Sequence, residues 1–121
     1  MKELYKYRIT EHTDYRVKAE IMIDWDHPVY LGHFPSNPVT PGAFQLQMIN
    51  DVLQDHTGTP LMMSAARSIK FISPHSPGEG NILELDLSIK PVTEDKLDIN
   101  ATLSGSNKIY LRFSGEFKRI R

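Results

Sequence analysis

A histidine set among prolines, followed by a glycine at the head of a helix-forming run, is the part of this chain best suited to chemistry. The stretch reads His33-Phe34-Pro35-Ser36-Asn37-Pro38-Val39-Thr40-Pro41-Gly42 and continues into Ala43-Phe44-Gln45-Leu46-Gln47-Met48-Ile49-Asn50. An unperturbed imidazole titrates near ~6.5, so His33 can both take and give a proton at neutral pH. Pro35, Pro38 and Pro41 each fix a backbone angle, and a loop stiffened in this way can hold the ring in one place. Gly42 stands where the first N–H groups of a helix point outward and carry partial positive charge, a site for a developing oxyanion that no side chain blocks. A Pro-Gly pair is also a common turn, and a rigid crossover would use the same residues.

Gln47 falls on one stripe of the expected helix with Ala43, Asn50 and Gln54, opposite Met48 and Val52, which is the pattern of an amphipathic helix with a polar face. Its amide has no titrating proton at neutral pH, so it can orient a hydroxyl or a water but cannot act as a general acid. Asp51, one turn on, is the nearest carboxylate on the adjacent edge of that face. His12, His27 and His56 read as surface or turn residues. Asp24, Asp26 and His27 lack a supporting ligand cluster, and no metal is expected.

The elements that must position these groups follow from periodicity. Val17, Ala19, Ile21, Ile23 and Trp25 alternate with mostly charged residues and mark a half-buried strand, with a shorter one before it at Tyr5, Tyr7 and Ile9. Ala43 to about His56 fits a helix on the spacing of Phe44, Leu46, Met48, Ile49, Val52 and Leu53, ended by Gly58-Thr59-Pro60. A further strand is expected over roughly residues 65–72. Three more alternate at Leu83 to Ile89, Leu97 to Leu103 and Ile109 to Phe117, antiparallel because their connections are short. Ser104-Gly105-Ser106-Asn107 makes a hairpin turn, and residues 91–95 a looser one. Strands, one helix, then strands returning by hairpins give an α+β layout in which an antiparallel sheet wraps one long central helix.

The 121 residues suit a single domain spanning the chain. With 40% hydrophobic and 24% charged residues, the composition excludes a disordered or fibrous chain. Fourteen Lys and Arg against fifteen Asp and Glu leave no basic field for a nucleic-acid backbone. The absence of cysteine removes disulfides, thiolate metal sites and a Cys nucleophile, and suits a reducing compartment. No apolar run approaches the ~20 residues that span a bilayer, and residues 1–7 lack a signal-peptide core, so a cytoplasmic protein is expected.

The His-Phe-Pro loop leading into a Pro-Gly helix start resembles the active-site motif of the β-hydroxyacyl-acyl-carrier-protein dehydratases, a hot-dog-fold family. The likeness continues at Ser68-Ile69-Lys70-Phe71-Ile72-Ser73-Pro74-His75-Ser76-Pro77-Gly78-Glu79 and takes in roughly residues 15–118. Ser36 stands where glycine is usual, Thr40 where a larger apolar residue is usual, and Gln47, fourteen residues on from His33, where the family has Glu or Asp. The resemblance implies conversion of 3-hydroxyacyl thioesters to trans-2-enoyl thioesters, with His33 as base and then acid. It also implies Gly42 N–H on the thioester carbonyl, and Gln47 reaching the His of the other protomer across a dimer interface.

Phe34, Pro41, Ala43 and Phe71 are then the expected substrate contacts. No cofactor is implied beyond the phosphopantetheine of an acyl carrier protein or coenzyme A that carries the substrate. Arg67, Lys70, Lys118, Arg119 and Arg121 are candidate contacts for an acidic carrier. A homodimer or a trimer of dimers is expected. Two other readings fit the same residues: an acyl-thioester binder without turnover, since Gln47 has lost the carboxylate, and a hot-dog thioesterase.

Overall fold

The computed structural model describes residues 3–32, 39–76 and 79–120. Six strands form one antiparallel sheet around a single long helix. The elements run β1 (Tyr5–His12), β2 (Arg16–Ile23), α1 (Val29–Gly32), α2 (Gly42–Thr57), β3 (Leu61–Phe71), β4 (Ile82–Pro91), β5 (Lys96–Gly105) and β6 (Lys108–Arg119). The sheet order is β1-β2-β4-β5-β6-β3, so β3 crosses to the far edge. Helix α2 contacts both edge strands, β1 and β3, as well as β2 and β4, which is possible only because the sheet curls around it.

Alternation along the strands sets the core. Val17, Ala19, Ile21 and Ile23 of β2, Leu83, Leu85, Leu87 and Ile89 of β4, and Leu97, Ile99, Ala101 and Leu103 of β5 all point inward and are buried. Met48, Ile49, Val52 and Leu53 of α2 meet them. Each such side chain contributes about 1.5–3 kcal/mol on burial, which stabilises a 16-residue helix that would be marginal alone in water. The helix stops at Gly58, whose φ of 72° and ψ of 14° are left-handed and whose N–H reaches Gln54 O at 2.8 Å. The β5–β6 hairpin turns on Ser106 and Asn107, with φ of 48° and 64°, between the paired Gly105 and Lys108. Two successive positive φ values make this the type I′ turn whose twist matches the strands.

Three elements differ from the sequence reading. Strand β3 begins at Leu61, four residues before the expected start, because Leu61, Met62 and Met63 pair with Arg119, Lys118 and Phe117. Strand β2 ends at Ile23, so Trp25 leaves the ladder and its ring stacks on His75. Val29–Gly32 forms a short helical turn within the Pro-rich stretch at residues 28–41, which was expected to be an ordered loop throughout. No described helix is long and apolar enough to cross a membrane.

Candidate functional site

Among the described residues, helix α2 starts without a side-chain cap. Pro41 occupies the N-cap position at φ −59° and ψ 143° and has no side chain to offer, and the first turn carries no acidic residue. The N–H groups of Phe44 and Gln45 turn back to Pro41 O at 3.1 and 3.3 Å. Gly42 and Ala43, one residue nearer the terminus, are therefore the donors aimed out of the helix. Phe71, the last residue of β3, roofs this point: a Cβ on Gly42 would lie 2.6 Å from the Phe71 Cζ. Two residues expected at the site from the sequence thus meet, with Pro41 and Ala43 flanking them. His33 and Phe34 lie outside the described residues.

Gln47 is exposed on α2 and lines a groove of about 730 Å³ together with Leu4, Tyr5, His27, Phe44 and Asp51. The groove has an apolar wall in Leu4 and Phe44 and a polar one in Gln47, Asp51 and Tyr5. Asp51 is held within it, since the Tyr5 hydroxyl donates to Asp51 Oδ2. Burial, and then that carboxylate, push the Tyr5 hydroxyl well above the ordinary tyrosine range, so it stays a donor. Tyr7 donates in the same way to Asp55 Oδ2 at 3.1 Å. His27 lies in the turn after β2, as one of the two expected readings had it. It is half-buried in this groove, its ring packs edge-on to Phe44, and its Nδ1 accepts the Val29 N–H at 3.0 Å.

Sequence reasoning missed the most buried polar group beside the helix start. His75 is fully buried, stacked on Trp25 with ring centroids 4.9 Å apart and meeting Tyr110 edge-on at 4.8 Å. Its Nε2 lies 3.0 Å from Gly80 O. A carbonyl only accepts, so Nε2 carries the proton and Nδ1 is the acceptor of the neutral ring. Thr40 Oγ1, 2.9 Å away, donates to that Nδ1, and the Tyr30 hydroxyl donates to Thr40 Oγ1 at 2.8 Å. Burial pushes the His75 imidazole below the usual histidine range, in keeping with the neutral form. Thr40 N–H also bonds His75 O at 2.8 Å, and Gln45 Nε2 donates to Thr40 O at 3.1 Å. Nothing local marks His75 in the sequence beyond its place in a Pro-flanked turn.

Two of the expected carrier contacts are engaged within the chain. Arg67 pairs with Asp98 at 3.0 Å, and Arg119 donates to Glu94 O at 3.0 Å and Thr59 Oγ1 at 2.9 Å. Lys70 and Lys118 are exposed, and Arg121 lies outside the described residues.

Similarity to known proteins runs the same way. The chain is 27% identical over 109 residues to the 3-hydroxyacyl-[acyl-carrier-protein] dehydratase FabZ of Thermus thermophilus, a match covering 84% of this chain and 77% of that protein. The fold superposes on the dehydratase heterocomplex ApeI:P from Xenorhabdus doucetiae with a TM-score of 0.72 at 21% identity, covering all of both chains. A hypothetical thioesterase from Streptococcus pneumoniae, solved with coenzyme A, superposes equally well at 0.72 but with 8% identity, over 95% of this chain and 86% of that one. These likenesses make the sheet wrapped on α2 a hot-dog fold. The sequence matches the ApeI-like family, described as ApeI dehydratase, over residues 9–112. That span takes in the helix start, Gln47 and the buried histidine together, and the chain belongs to the ApeI-like dehydratase family.

Proposed function

We propose that the protein eliminates water from a 3-hydroxyacyl thioester to give a trans-2-enoyl thioester, as a cytoplasmic hot-dog dimer acting on acyl groups delivered by an acyl carrier protein or coenzyme A. The observation that carries this reading is the uncapped start of α2 at Gly42, roofed by Phe71, on the same helix as the Gln47 groove. The Gly42 N–H polarises the thioester carbonyl and stabilises the enolate oxygen that forms when the α-proton leaves. His33 takes that proton. The C–O bond to the 3-hydroxyl then breaks, and the same imidazolium returns the proton to the departing oxygen, so one water is released and the base is regenerated. Gln47 of the partner protomer holds the leaving hydroxyl by hydrogen bonds in place of a carboxylate.

A second protomer fits the outer edge of β3. This strand is 11 residues long, pairs with β6 on one side only, and exposes Met62, Ile69 and Phe71. An unprotected edge of that length is a template for another strand. The Xenorhabdus relative is a heterocomplex, so a different subunit is the alternative occupant.

The reading is tested by incubating a 3-hydroxyacyl carrier thioester with the wild-type protein and His33→Ala, and following the acyl mass. Loss of one water, abolished in a folded His33→Ala protein, is expected. Unchanged substrate with measurable carrier binding would instead identify an acyl-thioester binder, the reading that the non-titrating Gln47 amide favours. Release of free thiol would identify a thioesterase.

A further inference from the structure

The buried chain of hydrogen bonds behind the helix start has no part in the proton transfers above, yet it converges on the residues that enter α2. It runs in one direction: Tyr30 O–H to Thr40 Oγ1, Thr40 Oγ1–H to His75 Nδ1, and His75 Nε2–H to Gly80 O. Thr40 and His75 are tied twice, through their side chains and through Thr40 N–H to His75 O. Gln45, in the first turn of α2, closes the loop from the other side by donating to Thr40 O. Thr40 is 3% exposed, Gln45 3% and His75 fully buried, so the Tyr30–Thr40, Thr40–His75 and Gln45–Thr40 bonds form without competition from water.

Residues Ser76 and Glu79, near His75 in the chain, are themselves tied. Glu79 Oε2 accepts the Ser76 N–H at 2.8 Å, and Lys108 Nζ lies 2.6 Å from Glu79 Oε1. Trp25 and Tyr110 hold the ring from two sides. Four segments therefore meet at one imidazole: the residues after β2, the entry to α2, the β3–β4 loop and β6.

We propose that His75, acting through Thr40, is a positioning residue that sets the direction of the Gly42 and Ala43 N–H groups for the thioester oxygen. Thr40 is two residues from Gly42, with only Pro41 between them. A neutral imidazole with its proton on Nε2 presents Nδ1 as a fixed acceptor, and this dictates where the Thr40 hydroxyl and hence the Thr40-Pro41 backbone lie. This inference rests on the dehydratase reading for its kinetic consequence, but its structural content stands apart from turnover.

The test compares Thr40→Val, which keeps the shape and loses the hydroxyl, with Thr40→Ser, which keeps the hydroxyl. Ring-nitrogen NMR is expected to find wild-type His75 neutral with its proton on Nε2. The Gly42 and Ala43 amide resonances should move in Thr40→Val and return toward wild type in Thr40→Ser. In turnover, Thr40→Val should lower kcat about tenfold with KM changed by less than about twofold, and Thr40→Ser should restore it. Tyr30→Phe, which removes a single oxygen, gives a milder version of the same shifts and serves if Thr40→Val does not fold. A wild-type ring protonated on Nδ1, or unmoved Gly42 and Ala43 amides in a folded Thr40→Val, would overturn the proposal. So would wild-type kcat in that variant. If the wild type has no dehydratase activity the functional reading fails, and the amide and ring resonances still decide the positioning role.

Discussion

Gly42 at the start of α2 and Phe71 at the end of β3 occupy each other's space: a Cβ on Gly42 would stand 2.6, 3.0 and 3.2 Å from Cζ, Cε1 and Cε2 of the Phe71 ring. Glycine is needed there to let the ring close over the helix N-terminus. The conflicting atoms are the far end of a half-exposed side chain at a strand end, so the ring can swing away. Gly42→Ala is therefore expected to fold with stability within about 1 kcal/mol of wild type, since alanine also favours the helix. Its turnover should fall sharply as the displaced ring uncovers the helix start. Thermal melts paired with kcat for Gly42→Ala and Gly42→Ala/Phe71→Ala check this, and a single variant that keeps full kcat would refute it.

Gly115 differs from Gly42 in what it meets. Its Cβ would stand 2.5 Å from Ala65 O and 2.6 Å from Phe113 Cζ, in the middle of the β3–β6 pairing. Backbone cannot swing aside as a phenyl ring can. Gly115→Ala is expected to destabilise the fold by about 1–3 kcal/mol, read as a lower urea midpoint at unchanged slope.

The neutral His75 predicts a pH dependence of stability. Tyr30, Tyr110 and Glu79 face or neighbour the ring; burial disfavours its charged form, and the Gly80 carbonyl and then the Glu79 carboxylate oppose this without outweighing it. The folded protein therefore binds this proton less readily than the unfolded chain, whose histidine titrates near 6.5. By linkage, stability falls as pH drops below that value and levels off once the folded ring is also protonated. Denaturation midpoints of wild type and His75→Phe across this window should converge toward acid pH; parallel curves would contradict the neutral assignment.

Pairing along β3 predicts a concentration-dependent dimer. Ile69→Lys puts a charge on the exposed edge strand and is expected to shift the sedimenting species from dimer to monomer at micromolar protein. A wild-type monomer at that concentration would remove the route by which Gln47 meets the partner's site.

The period-2 runs at Val17, Leu83, Leu97 and Ile109 were enough to place four strands, and Gly58 the end of α2, because each states its burial locally. The beginning of β3 was not legible. Its burial along 61–71 is irregular, two bulges interrupt its register, and Ala and Ser replace the large apolar positions of an alternating strand. Gln45 was hidden within an apolar arc, since what buries it is a hydrogen bond to the Thr40 carbonyl. His75 meets Thr40 from 35 residues away, and its ring neighbours come from β6 and the residues after β2. No spacing rule along the chain reports such a contact. Gly42, Phe71 and Gln47 were named through the motif resemblance, and the closure of Phe71 over Gly42 emerged from the fold.

The most direct test of the account is hydration of a short trans-2-enoyl thioester, the reverse reaction, by wild-type protein, His33→Ala and Gln47→Glu side by side. The account predicts turnover by the wild type, its loss in His33→Ala, and retention in Gln47→Glu. Silence in the wild type with activity appearing in Gln47→Glu would contradict it, and would make the protein an acyl-thioester binder whose chemistry ended at residue 47.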